Sequence, residues 1–133
     1  MIRVTPDDFD PGDLITRARQ KDVGAVVSFL GIVRDDGIEG MDVEAYEEVA
    51  EGDLQEIAEE AEAKFGAIHV DIVHRIGHLS VGDDIVLIVV GASHRKAAFL
   101  ACEYIIDRIK EQVPIWKKEH SQDGSSRWVQ GEH

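Results

Sequence analysis

The sequence contains one cysteine, three prolines and no apolar run near the roughly 20 residues that a bilayer crossing requires. A lone Cys102 can neither close an internal disulfide nor supply a multi-thiolate metal site, which fits a reducing compartment. It falls inside an apolar helical pattern and reads as a small buried residue rather than a reactive thiol. The first residues, Met1–Asp8, lack the apolar stretch of a secretory signal, so a soluble, cytoplasmic protein is expected. Basic residues are scarce as well, with 14 Lys and Arg against 27 Asp and Glu and a net charge of −13. Nucleic acid and anionic membrane are thereby excluded as partners, because both need a basic footprint. Also missing are a phosphate-binding G-x-x-x-x-G-K loop, a G-x-S-x-G nucleophile turn, an H-E-x-x-H zinc helix and any cysteine pair.

What is present is 44% hydrophobic and 31% charged residues, enough apolar content to offset chain entropy and fold. A length of 133 residues predicts one domain spanning 1–133. Charge is unevenly spread. Residues 1–66 hold 18 acidic and 6 basic side chains, whereas 67–133 hold 9 and 8 together with all six histidines. Cations kept together in an acidic chain point to an anionic ligand, although a solvated basic face would look the same.

Asp10-Pro11 reads as an N-cap followed by proline at the first helical position, starting a short helix with Leu14, Ile15 and Ala18 as its apolar stripe. Val23–Val33 reads as a mostly buried strand, with Gly24 and Gly31 marking a bulge or a close backbone approach. Val43–Glu47 alternates like a half-buried strand, and Asp53–Phe65 has helical apolar spacing ended by Gly66. Ile68–Val73 predicts a further strand, residues 77–84 a break, and Ile85–Val90 a central buried strand. Ser93 is expected to cap a helix from His94 to Gln112, ending ahead of Pro114. Ile115–His120 and Arg127–Val129 read as short strands around the turn Asp123-Gly124-Ser125. This mixture predicts an α+β fold with a mixed or antiparallel sheet.

Three groups of residues could carry chemistry. Ser93-His94-Arg95-Lys96 places cations at a helix N-terminus, where the free N–H groups already attract anions. That choice is unfavourable for the helix and suits a phosphate or carboxylate, though a solvated first turn would also explain it. Lys110, Lys117 and Lys118 near Trp116, Arg127 and Trp128 suggest a lysine-lined pocket, or otherwise the protected edge of a sheet. Arg34 is a lone cation leaving the long strand, and a surface loop arginine is its plain alternative. His74 and His78 are four apart on non-helical chain, so no metal site is expected from them. Arg95 and Lys110 lie about 22 Å apart on one helix at roughly 1.5 Å per residue. If both serve one small ligand, a second subunit must complete the site, which predicts a homodimer.

Taken in order, Gly24–Arg34, His74-Arg75-Ile76-Gly77, Gly82-Asp83, Ser93-His94-Arg95, Lys110, Pro114–Glu119 and Arg127-Trp128-Val129 resemble the MoaE family, the large subunits of molybdopterin synthase. The resemblance covers nearly the whole chain. It implies an α/β hammerhead-type fold and a homodimer at the centre of a heterotetramer. A small ubiquitin-like subunit would bind at each end and insert a Gly-Gly tail carried as a thiocarboxylate. Its sulfur would pass to cyclic pyranopterin monophosphate, forming the dithiolene of molybdopterin, with no metal or organic cofactor in this chain. The family's functional positions fall on Arg34, His94 and Arg95 for substrate binding and on Lys110 and Lys117 for catalysis. Ile115 departs from the aromatic often found there. The competing expectations are a docking module for a ubiquitin-like protein without chemistry of its own, and a phosphate-ester enzyme that needs no protein sulfur donor.

Overall fold

A computed structural model describes residues 1–130, so positions 131–133 of the expected domain lie outside the described residues. The elements are β1 (Ile2–Thr5), α1 (Pro11–Arg17), β2 (Ala25–Ile32), β3 (Ile38–Ala45), α2 (Glu47–Phe65), β4 (His69–Arg75), β5 (Gly77–Ser80), β6 (Asp84–Ala92), α3 (Arg95–Gln112), β7 (Ile115–Ser121) and β8 (Ser126–Gln130). Two four-stranded sheets result, ordered β1-β4-β6-β2 and β5-β3-β7-β8. All pairings are antiparallel except β1 with β4, which gives the expected α+β fold with a mixed sheet.

The first sheet carries the core. Helices α2 and α3 cover one face and pack on each other, while α1 covers part of the other through Leu14 and Ala18 against Val73, Leu87 and Val89. This two-sided cover explains why β6 reads as an unbroken apolar run: Ile85–Ala92 is buried throughout. Asp10 caps α1 by accepting from the Gly12 and Asp13 amides, and Gly66 ends α2 at φ 74°, as the sequence predicts. Gly31 marks the expected bulge, where the β2–β6 register shifts.

Gly24 is the close approach. A Cβ there would stand 2.2 Å from the Ser93 carbonyl oxygen, in backbone that cannot swing aside. Gly24→Ala is therefore expected to cost about 2 kcal/mol by pushing β2 off the start of α3, read as a lower midpoint in urea unfolding.

Several expectations are corrected. Strand β2 is an edge strand, not a mostly buried one, and Leu30 and Ile32 stay 36% and 49% exposed. The seven-residue α1 is too short to cover that end of the sheet. The expected break at 77–84 contains β5, and β1 was not anticipated. Helix α2 begins at Glu47 rather than Asp53, its first turn favoured by Glu47 and Glu48 against the helix dipole. The N-cap of α3 is His94 rather than Ser93, with no side-chain capping bond. Among the described residues no helix is long and apolar enough to cross a membrane.

Candidate active site

The end of the first sheet, the inner face of the second and the last turn of α3 enclose a cleft of about 510 Å³. Gly31, Ile32 and Arg34 come from the end of β2 and the loop after it, Ile85 from β6, Ile38 and Met41 from β3. Lys110 enters from α3, Lys117 and Glu119 from β7, Arg127 and Val129 from β8. Strand alternation explains the β7 pair: Lys117 and Glu119 share the face that looks into the cleft, while Trp116, Lys118 and His120 look outward.

The cations differ in state. Arg34 is exposed and bound to Asp36 (Nε to Oδ2, 2.7 Å), and Arg127 bonds Glu119 at 3.3 Å across the β7–β8 pair. Each arginine thus has a carboxylate beside it, and Lys110 and Lys117 add two further cationic groups to the lining. Lys110 sits exposed in the last turn of α3, where the negative end of the helix dipole favours an ammonium. Lys117 is 2% exposed, an uncommon burial for lysine. Its neighbour His74 is fully buried on β4. Burial holds the His74 imidazole down at about 4; the hydrogen bond from its Nδ1 to the Arg75 carbonyl (2.8 Å) works against this, and the nearby Lys117 charge adds to it. His74 is therefore neutral at pH 7, its proton on Nδ1.

Of the residues expected to bind or react, Arg34, Lys110 and Lys117 meet in this cleft. His94 and Arg95 do not. They lie exposed at the opposite end of α3, about 22 Å along the helix axis from Lys110 at roughly 1.5 Å per residue. Sequence reading missed Asp36 and Glu119, although the first is two residues from Arg34 and the second is the register partner of Arg127. Cys102 is buried, and burial raises its thiol to about 11, so it stays protonated and inert as expected.

A cleft with two lysines in a chain of net charge −13 is built to gather anions and to stabilise negative charge that develops on a reacting carbonyl or phosphate. Comparison with known proteins identifies the family of the chain. Residues 4–112 match the model of the family described as MoaE protein. The chain is 41% identical over 131 residues to a Thermoplasma volcanium protein named molybdopterin synthase catalytic subunit, covering 96% of each. The crystal structure of molybdopterin synthase from Staphylococcus aureus superposes with a TM-score of 0.89 at 41% identity, covering 98% of this chain and 97% of that one. A Helicobacter pylori structure, described as a complex of subunits 1 and 2 of molybdopterin-converting factor, shares the fold with a TM-score of 0.78 at 24% identity, covering 98% of this chain and 90% of that one. Sequence match, fold and coverage agree: the chain belongs to the MoaE family, whose curated members at this similarity are named molybdopterin synthase catalytic subunits.

Proposed function

We propose that the cleft is a sulfur-transfer site. In this reading the chain takes sulfur from the thiocarboxylated Gly-Gly tail of a small ubiquitin-like subunit and places it on cyclic pyranopterin monophosphate, building the dithiolene of molybdopterin. The observation that carries it is the meeting of exposed Lys110 with buried Lys117 in one cleft of an otherwise acidic chain. Tail and substrate are both anions, so a site that unites them must offset their repulsion. Lys110 stands beside the thiocarboxylate carbon and stabilises charge on its oxygen as the acyl–sulfur bond breaks: water takes the acyl carbon and restores the tail's carboxylate, while the sulfur replaces an oxygen of the pterin side chain, which leaves as water. Lys117 supports it electrostatically or in proton transfer, and Arg34 holds substrate or tail. The reaction belongs to the cytoplasm, where thiols stay reduced.

His94 and Arg95 bind the substrate phosphate from a second copy of the chain. Supporting this, the cleft borders β2, an edge strand whose Leu30 and Ile32 are uncovered, and Phe99 on neighbouring α3 is 61% exposed. Apolar residues on an unpaired edge suit a symmetric contact, with a small subunit at each outer end of the resulting heterotetramer.

Mixing this protein with thiocarboxylated small subunit and cyclic pyranopterin monophosphate, then weighing the pterin by mass spectrometry, tests the function. Two added sulfurs are expected; a stable complex without product would leave a docking module. The shared site has its own test. His94→Ala and Lys110→Ala, each inactive alone, are expected to regain about a quarter of wild-type activity when co-assembled, since half the dimers then hold one intact site. No recovery would make a site shared between two copies untenable and would remove His94 or Lys110 from it.

A further inference from the structure

On the outer face of the second sheet, opposite the cleft, three strands bring together Asp42, His78 and His120. Asp42 of β3 stands directly across from His78 of β5, and His120 of β7 pairs with Gly40, two residues away on β3. Asp42 Oδ1 lies 2.9 Å from His78 Nδ1 and its Oδ2 lies 2.8 Å from His120 Nε2. One ligand atom from each residue falls within 4.8 Å of the others. The ring centroids are 6.0 Å apart.

The surroundings hold this arrangement. Gly40 leaves room for the His78 ring, because a Cβ there would meet His78 Cε1 and Nε2 at 3.3 and 3.4 Å. The other nitrogen of His120 is engaged by Ser126 Oγ at 3.0 Å, which directs Nε2 at Asp42 in the way an outer hydrogen bond orients a metal-binding imidazole. Lys118, the β7 partner of Asp42, has its ammonium over the Trp128 ring at 5.7 Å and leaves the carboxylate to the histidines.

We propose that Asp42, His78 and His120 form a site for a divalent transition metal such as Zn(II), Ni(II) or Co(II), with water in the remaining positions. Two imidazoles and one carboxylate are the donors such ions favour over Mg(II) or Ca(II). At metal–ligand distances of about 2.0–2.2 Å, donor atoms around a tetrahedral ion stand roughly 3.3 Å apart. The two histidine–carboxylate contacts need open by only about 0.5 Å, while the imidazole nitrogens draw together around the ion. The ion takes the position now bridged by the two ring–carboxylate hydrogen bonds. It clips β5, β3 and β7 together on the face opposite Lys117 and is independent of the sulfur-transfer reading.

Zn(II) titrated calorimetrically into tag-free, chelator-treated protein at neutral pH tests the site. One equivalent is expected to bind with a dissociation constant of about 10 μM or tighter, and to raise the melting temperature. His78→Ala and His120→Ala are each expected to weaken binding at least tenfold and to cancel the thermal shift, while His69→Ala, outside the cluster, changes neither. His78 has a 63% exposed side chain, so its replacement leaves the fold intact and keeps the comparison readable by circular dichroism. Absence of Zn(II) uptake by the wild type, or uptake equal in wild type and His78→Ala, would reduce the cluster to an ion-paired ladder.

Discussion

Replacing Lys110 by alanine is expected to slow dithiolene formation by about 10²–10⁴-fold while fold and capture of the small subunit survive. In barrier terms that is roughly 3–5 kcal/mol, the range of a positioned acid–base or charge-stabilising group. Lys110 suits such a test because it is exposed in the last turn of α3. Its removal opens no cavity and costs stability only the fraction of a kcal/mol that a terminal cation gives a helix. Lys117 is a poorer subject for alanine. At 2% exposure its truncation would leave a hole where the buried side chain stood, so lost activity would mix chemistry with lost packing. Lys117→Met keeps the volume and removes only the charge. The measurement is the single-turnover rate of product formation with saturating thiocarboxylated partner, alongside the affinity for that partner. A rate unchanged in Lys110→Ala would take this lysine out of the chemistry, whereas a loss confined to partner affinity would make it a binding residue.

The sequence marks these two lysines because they lie seven positions apart around a proline. Pro114 stands between the end of α3 and the start of β7 at Ile115, and the cleft takes Lys110 from that helix end and Lys117 from that strand. Gly24, Gly31, Gly66 and the Asp10-Pro11 cap were legible for a similar reason: each answers to a local backbone demand. What stayed hidden depends on pairing. β1 and β5 are four residues each, too short for a periodic signal. The apolar run of β2 looks the same whether a strand lies beside it or not, and only the sheet order makes it an edge. His74 and His78 are close in sequence yet one is buried and the other exposed. The partners His78 does meet lie 36 residues before it and 42 after it, a distance no spacing rule reaches.

Acidification is expected to destabilise the fold by about 3 kcal/mol between pH 6.5 and 4 through His74 alone. Its imidazole is held at about 4 in the folded chain against 6.5 when free, so in that window the unfolded chain binds the proton and the folded one does not. Stability therefore rises with pH across the window, is complete above 6.5, and is lost as pH falls to about 4. The cause is first the complete burial of the ring and then the Lys117 charge, since a protonated His74 would set a second cation against a lysine already withdrawn from water. His74→Gln can keep a donor for the Arg75 carbonyl without a titrating ring. Urea unfolding of both proteins at half-unit pH steps should show a slope in the wild type that is flattened in the variant. Equal slopes would assign the acid sensitivity to other groups. Because the ring neighbours Lys117, sulfur-transfer activity is expected to fall with stability over the same interval, and the Gln variant to hold both to lower pH.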